Sequence, residues 1–367
     1  MSSSWGKSFH LSIYGESHGA GIGVVIDGVP AGLPLDLEQV AVFMRRRAPG
    51  QNRASTARKE ADQPEILSGF HNGYTTGTPL GALIRNADTH SSDYSELAAT
   101  ARPGHADYTG FVRYGGFGDV RGGGHFSGRL TAPLCFAGAV AIQLLARSGI
   151  LIGAHAARIA GIADTAFEPV ALDPQTLLYP ASQPFPTLDE QAGAQMLAAI
   201  ESARMAQDSV GGVVECAVLG LPAGIGSPMF DGLENVIASL VFGIPAVKGI
   251  EFGAGFAAAE LRGSQNNDPF CIKDGQICTT SNYAGGILGG ISSGMPVLLR
   301  VAFKPTPSIA QPQQTVDFRQ GCEKTLSIHG RHDPCVVVRA VPVVEAAVAI
   351  AVVDAILSQA PALLESQ

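Results

Sequence analysis

Apolar and polar residues alternate over 8–14 (SFHLSIY), which predicts a strand closed by the turn GESHG at 15–19. A second strand is expected over 22–26, ended by the turn GVPAGLP. Asp36 is placed to N-cap a helix running to about Arg47, where the closing arginines complement the helix dipole and Pro49-Gly50 stops the chain. Strands are predicted over 64–70 and 80–86, with TTGT as the turn between them. Pro133 suits the first residue of a helix to about Arg147, with Gly149 just beyond its end. Residues 150–162 alternate loosely and read as strand, and the proline-rich segment 169–186 reads as loop. Thr187 and Glu190 have the spacing of a capping box for a helix to about Ala206. Further strands are expected over 213–219, 246–252 and 297–303, and a helix over 232–241. The apolar run 341–357 is interrupted by Glu345 and Asp354; it is too short to span a bilayer and reads as a buried helix.

One pattern occurs twice. GVVIDGVPAGLPLDLEQVA at 23–41 is echoed by GVVECAVLGLPAGIGSPMFDGLENVIA at 212–238. In both, a strand beginning GVV leads through a PAG turn to a helix opening L-E-x-V. Two related strand–turn–helix halves around a shared core predict a single pseudo-symmetric domain over 1–367. Short turns between strands, with helices in separate blocks, make it α/β of the α+β kind with mainly antiparallel sheets.

Composition narrows the function. The chain has 367 residues, 46% of them hydrophobic and only 15% charged, and a net charge of -8. So little charge predicts that subunits cover part of the surface, as a homo-oligomer. The acidic balance argues against nucleic-acid binding. Yet Arg45, Arg46, Arg47, Arg53 and Arg58 cluster closely, which suits a small polyanion. The six cysteines lack metal-ligand spacing and read as free thiols of a reducing cytoplasm, although Cys271 and Cys278 could lie near each other. The polar start SSSWGKSFHLS has no leader-peptide character.

Residues 102–131, RPGHADYTGFVRYGGFGDVRGGGHFSGRLT, cannot build a core. They read as a long ordered loop whose glycines admit a ligand and whose arginines neutralise it. A Walker A motif is missing from the sequence. Gly253-Ala-Gly255-Phe-Ala-Ala258 matches a dinucleotide pattern only loosely and lacks a βαβ unit. His329, His332 and Asp333 are too close in sequence to close a metal sphere alone, so no metal is expected. His18 and His105, each in a glycine-flanked turn beside arginines, are candidates for proton transfer. Asp333, between Arg331 and Arg339, is either a third such group or one half of an ion pair.

Seven blocks in order along the chain carry a resemblance. GESHG, RPGHADYTG, YGGFGDVRGGG, RGSQNND at 262–268, GGILGGISSGMP at 285–296, FKPTPSI at 303–309 and GRHDPCVVVRAVP at 330–342 together resemble chorismate synthase. The resemblance implies a β-α-β sandwich assembled as a homotetramer. It implies loss of phosphate and a proton from 5-enolpyruvylshikimate 3-phosphate to give chorismate, with reduced FMN required and no net redox change. His18 then matches the histidine that protonates reduced flavin, His105 the one near the leaving phosphate, and Asp333 the aspartate assisting proton removal. Arg47, Arg53, Arg102, Arg129 and Arg339 match substrate-anion arginines. Arg47 and Arg53 also match positions linked to NADPH in members that reduce their own flavin. Ser127, Ala246, Gly289, Lys304, Pro305, Thr306, Pro307, Ser308 and Arg331 match the flavin site. Three flavin positions depart from the family pattern: His125 and Phe126 stand for an arginine and a small residue, and Pro245 for an asparagine. Leu130 replaces a glutamate.

Overall fold

The computed structural model describes residues 3–50, 62–86, 99–328 and 333–365. Among these, two five-stranded sheets enclose a layer of helices. The first sheet holds β1 (Ser4–Trp5), β2 (His10–Gly15), β3 (Gly21–Asp27), β4 (Pro64–Ser68) and β5 (Leu80–Arg85), in the order β1-β2-β3-β5-β4. The second holds β6 (Leu151–Ile159), β7 (Ile162–Ala163), β8 (Gly212–Leu219), β9 (Val247–Phe252) and β10 (Val297–Phe303), in the order β9-β10-β8-β6-β7. Every neighbouring pair in both sheets is antiparallel.

The α-helices longer than four residues are α1 (Leu37–Arg47), α2 (Asp107–Arg113), α3 (Thr131–Ala146), α4 (Pro174–Ser182), α5 (Glu190–Met205), α6 (Leu233–Val241) and α7 (Val337–Gln359). α3 packs on β3 and β5 of the first sheet, α7 on β6 and β8 of the second, and the two helices pack on each other. This is the expected sandwich. A Cβ at Gly138 of α3 would lie 2.2 Å from the Cβ of Ala346 in α7, so the helices cross almost backbone to backbone. By length and composition the segment Gly128–Ala146 and α7 could each cross a membrane, but 83% and 94% of their apolar windows are buried inside this fold. A helix apolar on all sides is a core helix here.

The two acids that break the apolar run of α7 are polar ties. Glu345 takes both terminal nitrogens of Arg46 at 2.6 and 2.7 Å and the amide of Ala154 at 3.0 Å. Asp354 accepts the backbone amides of Lys7, Ser8 and Phe9 through one oxygen. Burial of either carboxylate is thus matched by donors.

The sequence echo is a structural repeat. The series β2, β3, α1, β4, β5, α3 matches β6, β8, α6, β9, β10, α7, and the corresponding strands lie in the same spatial order, β2-β3-β5-β4 and β6-β8-β10-β9. Local details differ from the sequence reading. The strand predicted over 150–162 is a hairpin, because Ala160 and Gly161 both take positive φ (50° and 84°) and form the tight turn that such a pair favours. The loop expected over 169–186 contains α4, N-capped by the Asp173 carboxylate on the Thr176 amide. Asp189, not Thr187, caps α5, accepting from Gln191 and Ala192. α3 begins ahead of Pro133, which sits in the first turn where no helical hydrogen bond needs its nitrogen.

Candidate active site

The glycine-rich segment 102–131 is more structured than a loop: it contains α2, a kinked stretch Arg121–Phe126 and a turn of 3-10 helix, Gly128–Leu130. Its triplet Gly122, Gly123 and Gly124 takes φ of 59°, 87° and 53°. A Cβ on Gly122 would lie 2.1 Å from the ring of His18, and one on Gly123 would lie 3.1 Å from Nε2 of His105. These glycines therefore seat two imidazoles on consecutive residues. The GESHG turn is tied to the triplet by the Ser17 amide, which donates to the Gly124 carbonyl at 3.1 Å. His18 is buried, with Nδ1 3.2 Å from the Ser17 hydroxyl.

Beside the triplet opens a cavity of about 810 Å³. Arg47, Arg102, Arg129 and Arg339 all line it, as do His105 and Asp333. Each arginine is held by a carboxylate. Asp62 bridges the guanidinium groups of Arg47 and Arg129. Burial alone would raise its pKa, but the two cations outweigh that and hold it below the usual carboxylate range. Asp107 takes Arg102 Nε at 2.7 Å and a terminal nitrogen at 2.7 Å, and lies 2.8 Å from His105 Nδ1. Its pKa is depressed as well, burial being overcome by hydrogen bonds from Arg102 and His105. Asp333 accepts from Arg339 at 2.6 Å. Burial lowers the pKa of Arg339, and Asp333 counters part of that effect.

Another wall carries Pro245, Ala246, Lys304, Thr306, Pro307 and Ser308, and the rim carries His125, Phe126 and Ser127. His125 is held at both nitrogens, by the Ser3 hydroxyl at 2.7 Å and the Gly15 carbonyl at 2.8 Å. The hydroxyl oxygen of Thr306 is buried with no hydrogen-bond partner among the described residues. Burial, reinforced by Lys248, lowers the pKa of Lys304, whose ammonium donates to the Gly104 carbonyl.

Three candidates stand apart from the lining. His18 lies behind Gly122, Pro305 lies against Gly211, and Gly289 belongs to the turn between Ile287–Leu288 and Ile291–Ser292. Arg53 and Arg331 fall outside the described residues. Sequence reasoning missed Asp62, Asp107, Lys248 and Trp5. The signal for the acids was present: buried arginines need counter-charges, and Asp107 stands inside the RPGHAD block. Among the described residues no group of three or more His, Cys, Asp and Glu side chains is placed to hold a metal ion.

Comparison with known proteins agrees with the blocks noted in the sequence. The family profile described as chorismate synthase matches residues 9–357. A chorismate synthase of Dehalococcoides mccartyi is 50% identical over 354 residues, covering 96% of each chain. That of Korarchaeum cryptofilum is 48% identical over 353 residues, covering 96% of this chain and 97% of its own. A crystal structure of chorismate synthase superposes with a TM-score of 0.75 at 29% identity, covering 97% of this chain and 93% of that one.

Proposed function

The chain belongs to the chorismate synthase family and is a lyase, and on that premise we propose the reaction it carries out: 1,4-anti elimination of phosphate from 5-enolpyruvylshikimate 3-phosphate, giving chorismate for aromatic amino-acid biosynthesis. The observation that carries this reading is the convergence of His105, Asp333 and four arginines, from distant parts of the chain, on one cavity. With Lys248 and Lys304 these cations outnumber the three carboxylates that pair with the arginines. A substrate with two carboxylates and a phosphate supplies the missing negative charge.

Reduced FMN fits the same cavity. Trp5, Ile13, Leu134, Phe126 and Val343 offer apolar surface, Lys304 a cation, and Thr306 an unsatisfied hydroxyl. Ala246, Thr306, Pro307 and Ser308 would hold it, and it would supply electron density to the reacting ring. The protein's own residues orient the anions and handle protons. Arg47, Arg102, Arg129 and Arg339 fix the carboxylates and the phosphate. His105 donates a hydrogen bond to the departing phosphate oxygen. Asp333, an acceptor, takes up the proton lost from the substrate, and His18 keeps the cofactor's protonation state from behind Gly122.

Exposed Phe230 and Phe256 support assembly, for which the homotetramer is the family's arrangement. Six free cysteines suit a cytoplasmic protein with neither membrane nor nucleic-acid partner. The deciding experiment is an anaerobic assay of the full chain with substrate and chemically reduced FMN. One chorismate per phosphate is expected, with the flavin still reduced at the end. Failure to release phosphate overturns the proposal.

A further inference from the structure

We propose that Cys271 and Cys278 form a reversible dithiol–disulfide site that reacts with low-molecular-weight disulfides of the glutathione class. They lie on a hairpin, Phe270–Lys273 paired with Gln276–Thr279, and stand directly opposite each other in its register. Their sulfurs are 3.3 Å apart. Residues directly opposed in an antiparallel pair have Cα atoms about 4.5–5.5 Å apart, inside the range of about 4.4–6.8 Å that a disulfide spans. Closing the bond therefore needs side-chain rotation and no change of strand pairing. The two-residue turn Asp274-Gly275, with φ of 51° and 79°, pins that pairing.

The other cysteines offer no comparable pair. Cys135, Cys216 and Cys335 are buried, and burial pushes the Cys135 and Cys335 thiols up to about 12, where thiolate is scarce. Cys322 is exposed, but the residue opposite it in its hairpin is Asp317. Cys271 and Cys278 are half-buried on a hairpin whose Phe270, Ile272 and Ile277 are exposed, so a small reagent can reach them.

The chemistry balances without a further reagent. One protein thiolate attacks the small disulfide, forming a mixed disulfide and expelling one thiolate. The second protein thiolate then attacks the mixed disulfide, forming the Cys271–Cys278 bond and expelling the other. Two protein thiols are oxidised, one disulfide is reduced to two thiols, and an excess of small thiol reverses both steps.

Trypsin cuts after Lys273, between the two cysteines, which gives a direct test. The reduced full-length protein is incubated with oxidised glutathione, alkylated, digested and mapped by mass spectrometry. The expected product joins peptide 263–273 to peptide 274–300, two hydrogens lighter than their sum, and disappears on treatment with a small thiol. Cys271→Ser should abolish it, leaving a glutathione adduct on Cys278, whereas Cys322→Ser should leave it unchanged. Wild-type peptides that stay separate, each alkylated or glutathionylated, or a bond from either cysteine to Cys322, would overturn the proposal.

Discussion

Asp107 and His105 lie 2.8 Å apart, carboxylate to Nδ1, while the same carboxylate clamps Arg102, whose terminal nitrogen stands 3.0 Å from that Nδ1. The carboxylate and the guanidinium together orient the imidazole, with Nε2 on the side of Gly123. An oriented histidine is what proton donation to a leaving phosphate requires. Asp107→Asn keeps the shape but can present an amide N–H to Nδ1. Turnover is expected to fall about a hundredfold or more, the scale of losing a positioned acid or base. The double variant with His105→Gln should be no worse than the worse single, because the pair acts as a unit. Phosphate-release kinetics that show simple additivity, or a single variant near the wild-type rate, would count against it.

The glycine triplet makes a sharper steric prediction. Gly122→Ala puts a methyl group where the His18 ring now sits, on a residue with φ of 59°. The left-handed conformation alone costs a non-glycine residue about 1–3 kcal/mol. Thermal unfolding should show a lower midpoint, and turnover should drop along with it because the ring is displaced. Gly128→Ala is the control, since a Cβ there meets nothing within 4 Å. Equal effects at the two positions would mean that seating His18 is not what Gly122 does.

How far these features were legible in the sequence follows from the range of the forces involved. The α1 cap was readable because Asp36 acts two and three residues away, on Glu38 and Gln39. The repeat was readable because each GVV strand leads into its helix locally. The role of Asp62 was not, because its partners Arg47 and Arg129 meet it only once α1 and the residues before α3 have folded together. Gly122 and His18 are likewise distant in sequence, and composition suggested a ligand where the chain's own imidazoles fill the space. The split of 150–162 turned on backbone sign at Ala160, a residue that seldom takes positive φ.

Away from the cavity, buried His155 predicts a pH dependence of stability. Nδ1 lies 2.8 Å from Asp164 and Nε2 3.0 Å from Glu215, with Phe167 edge-on to the ring. Burial alone would lower the histidine's pKa, but the two carboxylates outweigh it and raise it. A raised pKa gives stability that is full below the unfolded value of about 6.5 and lost as pH rises through the folded value. Asp164 works the other way. Burial opposes the change, yet His155 and two backbone amides lower its pKa, so its contribution is present above about 3.9 and lost as pH falls. Denaturant midpoints should therefore be highest between these limits and decline as pH rises through the folded value of His155. His155→Gln should flatten the alkaline decline. Parallel curves for the two proteins would show that His155 is not the titrating group.

The last expectation separates elimination from flavin reduction. The arginines, His105, Asp333 and Lys304 line the cavity together, and none of them requires a nicotinamide to lie against the cofactor. At the rim, where the family resemblance implies an arginine and a small residue, His125 is tied by Ser3 and Gly15 and so turns its polar atoms back into the protein. Phe126 adds a half-exposed ring beside Tyr114. That rim is bulkier and less cationic than a surface meant to receive NADPH, whose phosphates favour positive charge. Full activity is expected when dithionite reduces the FMN, and little with NADPH alone. His125→Arg combined with Phe126→Ser should leave the dithionite-supported rate within a few fold, since His125 is held by Ser3 and Gly15 and Phe126 packs beside Tyr114, whereas the arginines proposed to hold the substrate pair with Asp62, Asp107 and Asp333. Air-free turnover driven by NADPH, in the unmodified protein and without added reductase, would refute this assignment of the rim while leaving the elimination chemistry of the cavity intact.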